Sequence, residues 1–72
     1  MTKKSFFEIR NYLRREFSGC SESEIGMKII VKGDITYNVA FSDVDLQESF
    51  VVLPMGDTIA FVPYENIIAV EY

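Results

Sequence analysis

Residues 35–42 constrain this chain more than any other stretch. Apolar Ile35, Tyr37, Val39 and Phe41 alternate with Thr36, Asn38, Ala40 and Ser42, which is the period-two pattern of a strand with one buried face and does not fit an amphipathic helix. Four more strand-like runs surround it: Met27 to Lys32, Ser49 to Leu53, Thr58 to Val62 and Ile67 to Tyr72. Between them lie turn formers at Gly33-Asp34, Ser42 to Glu48, Pro54 to Asp57 and Pro63 to Asn66. Strands this short and this closely spaced predict a mainly β domain over 27–72, a five-stranded, strongly bent antiparallel barrel. Its buried side chains are expected to be Ile35, Val39, Phe41, Val51, Leu53, Ile59 and Phe61.

The first 19 residues read differently. Phe6, Ile9, Leu13 and Phe17 fall at intervals of three, four and four, so they share one face of a helix that docks over an open end or face of the barrel. Ser5-Phe6-Phe7-Glu8 matches a capping box that would start the helix at Ser5, and Gly19 fits its stop. Ser18 to Glu24 is a polar connector. Within the strands, Met27, Ile29 and Val31 alternate with Lys28, Ile30 and Lys32, while Val44, Leu46 and the continuous run Phe50-Val51-Val52-Leu53 predict a long bent second strand and a third strand buried on both faces. Ile67 to Tyr72 is apolar on both faces, an edge liability that a second subunit would cover.

At 72 residues the chain makes one domain, and a domain of that size buries only about 60% of its unfolded surface. Cys20 stands alone and there is no histidine, so neither a disulfide nor a Cys/His zinc site can supplement the core. Oligomerisation can, and 49% hydrophobic and 14% aromatic content points that way. No apolar run reaches the ~18 residues that span a bilayer, and Met1 to Ser5 leads into a charged helix. These features predict a cytoplasmic protein with no membrane partner.

Charge is segregated along the chain. Residues 1–17 carry Lys3, Lys4, Arg10, Arg14 and Arg15 against Glu8 and Glu16, residues 18–32 are balanced, and from Gly33 onward seven acids stand without one Lys or Arg, for a net −4 overall. A polyanion would therefore have to meet Arg10, Arg14 and Arg15 on the helix or Lys28 and Lys32 on the first strand. Asp43 and Asp45 are a carboxylate pair beside a turn, where Asp serves backbone hydrogen bonds more often than acid-base chemistry or cation binding. No Gly-rich phosphate loop, no nucleophile with a base and no metal-ligand cluster is present. The expectation is a non-enzyme without cofactor or metal.

Several stretches resemble the Sm and LSm proteins, including bacterial Hfq. Ile29-Ile30-Val31-Lys32-Gly33-Asp34 is similar to the first strand and hairpin of the Sm1 motif, Asp45-Leu46-Gln47-Glu48-Ser49-Phe50-Val51-Val52 to its end, and Phe61-Val62-Pro63-Tyr64-Glu65-Asn66-Ile67 to the Sm2 region. Leu13-Arg14-Arg15-Glu16 and Glu48-Ser49-Phe50-Val51 resemble segments of Hfq. The resemblance implies an Sm-like (SH3-like) barrel that assembles into a ring of five to seven subunits, with RNA as the family's ligand. It also shows what has changed. The Met-Asn pair of Sm1 is Glu48-Ser49 here, and the Arg-Gly of Sm2 is Pro63-Tyr64, so a pore ringed by Glu48 and Glu65 would repel phosphate. By the resemblance, Ser49 sits at the uridine site and Phe50 and Tyr64 offer stacking surfaces.

Two readings are open. One is an RNA-associated Sm-like ring using Arg10, Arg14, Arg15, Lys28 and Lys32 for phosphates and Phe50 or Tyr64 for bases. The other is an oligomeric protein–protein interaction module with an SH3-like barrel and no nucleic-acid role. A further fold alternative is a monomeric SH3-like barrel with the helix docked on it.

Overall fold

A computed structural model describes residues 1–72. One helix, α1 (Lys3–Glu16), precedes six strands: β1 (Gly26–Val31), β2 (Ile35–Ala40), β3 (Asp45–Leu46), β4 (Phe50–Met55), β5 (Thr58–Pro63) and β6 (Ile67–Glu71). They form two three-stranded antiparallel sheets, ordered β2-β1-β6 and β3-β4-β5. No helix is long and apolar enough to cross a membrane.

The helix starts one turn earlier than its Ser5–Glu8 pair predicts. Thr2 is the cap: its hydroxyl accepts from the Ser5 N–H at 3.1 Å, and Ser5 Oγ accepts from the Thr2 N–H at 2.9 Å. This earlier start brings Lys3 and Lys4 into the helix and adds the Phe6 N–H to Thr2 carbonyl bond at 3.0 Å. At the other end, Phe17 closes the helix with its N–H on the Leu13 carbonyl at 2.9 Å. Gly19 is not in the left-handed region, so its backbone freedom is not what stops the helix. Arg14 and Arg15 in the last turn complement the helix dipole.

Of the predicted helix stripe, Phe6 and Leu13 are fully buried, while Ile9 and Phe17 are half-buried. Each fully buried side chain contributes about 1.5–3 kcal/mol of apolar transfer. The ring of Phe6 meets that of Tyr64 edge-on at 6.1 Å, and Phe17 meets Tyr72 at 5.5 Å. The Met1 amine donates to the Ile67 carbonyl at 3.2 Å, tying the chain start to the head of β6.

The expected long second strand is cut in two. Phe41 to Asp43 forms a 3-10 turn that drives Phe41 into the core, with its N–H on the Ile25 carbonyl at 2.8 Å. Beyond this turn, β3 is a two-residue strand on β4, which raises the strand number from five to six. Gly33 and Asp34 both take positive φ in the β1–β2 loop, and Gly56 does so as the first of two residues joining β4 to β5. Pro63 is the last residue of β5, and a 3-10 turn (Tyr64–Asn66) leads into β6.

Val39, Phe41, Val51 and Leu53 are buried as expected, whereas Ile35, Ile59 and Phe61 are exposed by 48%, 59% and 64%. In β5 the register decides: Val62 opposes Val51 and Ala60 opposes Leu53, so this set faces inward and Ile59 and Phe61 face out. Ile35 stands at the hairpin end of β2, which ends its sheet. Nor is β4 buried on both faces. Val51 and Leu53 are fully buried, but Phe50 and Val52 are half-buried and Pro54 is exposed.

Candidate interaction surfaces

The helix presents its arginines unequally. Arg14 is already engaged: its Nε donates to Glu22 Oε1 at 2.8 Å, and its guanidinium lies 5.6 Å from the centre of the Phe41 ring. Arg10 is partly buried, with its Nε shielded from solvent and without a hydrogen-bond acceptor. Burial lowers its pKa, Arg14 pushes the same way, and Glu22, Asp45 and Tyr64 oppose them. It stays charged, as a guanidinium does. Arg15 and Lys4 are exposed, while Lys3 donates to Glu48 Oε2 at 3.0 Å. Such surface pairs are worth about 0–1 kcal/mol. Lys28 and Lys32 are exposed on β1 and its hairpin, and Lys28 lies between Asn38 of β2 and Glu71 of β6.

Ser49, Phe50 and Tyr64 do come together. They line one open groove of about 500 Å³ with Met1, Phe61, Pro63 and Glu65. Their roles differ from the expectation. Tyr64 is only 5% exposed, its hydroxyl donates to the Gln47 carbonyl at 2.7 Å, and its N–H donates to the Ser49 carbonyl at 3.3 Å. A ring so held anchors the 47–49 loop and offers no free face for a base. Burial raises the Tyr64 phenol pKa, with nearby Lys3 lowering it and Glu48 raising it. The open aromatics of the groove are Phe50 and Phe61, edge-to-face at 5.8 Å. Sequence reasoning misses Phe61 as a site residue, because its place in an apolar strand reads as core.

The two sheets differ on their outer faces. On the first, Lys28, Thr36, Asn38 and Glu71 surround half-buried Ile30 and Ala69. On the second, the residues between the buried Val51, Leu53 and Val62 are apolar, from Phe50 to Pro63. Asp45 accepts from Gln47 Nε2 at 2.7 Å, which is turn chemistry, and no three His, Cys, Asp or Glu side chains gather in one place. Cys20 is exposed.

Of the four strands that end the sheets, β2 and β3 are successive and joined through the Phe41–Asp43 turn. β5 and β6 are likewise successive, joined through the Tyr64–Asn66 turn, and these two edges carry the exposed apolar side chains, Ile59 and Phe61 on β5 and Ile68 on β6. Comparison with family models, curated proteins and solved structures gives no match.

Proposed function

We propose that this chain is a non-enzymatic, Sm-like module that closes into a homo-oligomeric ring, most simply of five to seven subunits, and works by binding macromolecules. The observation that carries the reading is the pair of open edges. An unpaired strand presents a row of N–H and C=O groups to any other strand, and β6 adds exposed Ile68 beside that row. A β5 edge that meets the β6 edge of the next copy is a heterologous contact, and such contacts close into rings when the rotation allows. The chain path supports the barrel form of the fold: β2 continues through one 3-10 turn into the second sheet, and β5 returns through another to the first. Sedimentation velocity tests it. The protein is expected to run as one discrete oligomer, and Ile68→Lys, which places a charge on the β6 edge, is expected to run as a monomer. A wild-type monomer would favour the SH3-like barrel with a docked helix.

RNA is the weaker ligand in this reading. Glu48 and Glu65 are exposed beside the groove that gathers Ser49 and Phe50, a ring multiplies them, and Tyr64 is withdrawn from stacking. Exposed Arg15 and Lys4 keep a second reading alive, in which an anionic ligand meets the helix face. Oligo-U and oligo-A titrations at low salt separate the two. Weak, salt-sensitive binding that is lost in an Arg14→Ala, Arg15→Ala double variant is expected; tight U-selective binding that survives it would restore the groove as a uridine site.

A further inference from the structure

The outer face of the second sheet is apolar across both of its long strands. Phe50, Val52 and Pro54 of β4 and Ile59, Phe61 and Pro63 of β5 alternate with inward residues and pair across the ladder as Phe50 with Pro63, Val52 with Phe61 and Pro54 with Ile59. Ile59 and Phe61 are more than half exposed. A contiguous patch of this kind on a sheet marks a docking surface more often than bare solvent contact.

Charge selects the occupant. Asp45 opposes Val52 from β3, Asp57 lies in the turn joining β4 to β5, and exposed Glu65, in the turn after β5, lines the groove with Phe50, Phe61 and Pro63. No Lys or Arg occurs after Lys32, and Lys3 is paired with Glu48. Two copies packed face to face would bring these acidic rims together, and a nucleic acid would bring phosphates to them, so both are disfavoured. Strand addition at the β5 edge uses hydrogen bonds in the plane of the sheet and leaves its face free. We propose that the outer face of β4 and β5 docks a partner protein through an apolar patch rimmed by lysine or arginine.

The proposal does not rest on the ring, and the test keeps them apart. The probe is a short synthetic peptide that alternates Val or Phe with Lys, compared with one that alternates Val or Phe with Glu and one that alternates Ser with Lys. Backbone amide NMR on the intact chain is expected to show shifts over 50–53 and 59–62 with the first peptide only, weakening as salt rises. Phe61→Ser is expected to weaken binding about thirtyfold, the size of a hot-spot truncation, with Val52→Thr as the second variant and circular dichroism checking that both remain folded. Ile68→Lys should bind as the wild type does. Equal binding by the Ser–Lys peptide, shifts elsewhere, or no binding would overturn the proposal. So would broadening of these same amides with protein concentration in the Ile68→Lys variant, whose β6 edge is blocked, which marks a second copy on this face as the occupant, or their movement by oligo-U, which marks a nucleic acid.

Discussion

Tyr64 looks in the sequence like an aromatic offered to a ligand, and in the fold it is a rivet. Its ring meets Phe6 of the helix, its hydroxyl holds the Gln47 carbonyl and its N–H holds the Ser49 carbonyl. Because burial raises its pKa above the ordinary tyrosine value of 10.0, the neutral phenol is the folded form. Its contribution to stability is therefore complete below pH 10 and is lost as pH rises through the higher folded value, where the unfolded chain ionises first. In urea unfolding, Tyr64→Phe is expected to cost about 0.5–1.5 kcal/mol at neutral pH for the lost hydrogen bond. The gap to wild type should narrow above pH 10, since the variant has no phenol to ionise at that position; a gap that widens there would contradict the account.

At the scale of elements, α1 depends on a cap one turn earlier than the one its sequence suggests. Thr2–Ser5 is used and Ser5–Glu8 is not. Thr2→Ala is then expected to destabilise the fold by about 0.5–2 kcal/mol, and Glu8→Ala to change it by less than ~0.5 kcal/mol, as an ordinary surface position does; thermal and urea melts measure both. The strands teach the same lesson about parity. In Thr58 to Val62 both sets of alternating positions contain apolar residues, so period alone cannot say which faces in. Only the ladder to β4 decides, and it places small Ala60 against Leu53 and leaves Phe61 outside. Where one set is polar, as in β1 with Lys28 between Met27 and Ile29, the inward face is legible from the sequence. The candidate site divides in the same way. Ser49 and Phe50 can be placed beside Tyr64 from the motifs, but the withdrawal of Tyr64 and the exposure of Phe61 depend on contacts between elements distant in the chain.

At the scale of the molecule, the core is 14 buried residues with no buried charge, while seven large hydrophobic side chains are exposed, four of them on β5, β6 or the residue after β6. A domain this small has little apolar area to lose, and placing those edges against another copy adds core without adding chain. β5 and β6 each end a sheet, and in the proposed ring the edge of a neighbouring copy would pair with them. Native mass spectrometry at micromolar concentration, run side by side on the wild type and Ile68→Lys, tests this most directly. The account predicts a single wild-type species of five to seven chains that collapses to one chain in the variant; a wild type that stays monomeric at every concentration, or a ring that Ile68→Lys leaves intact, would contradict it.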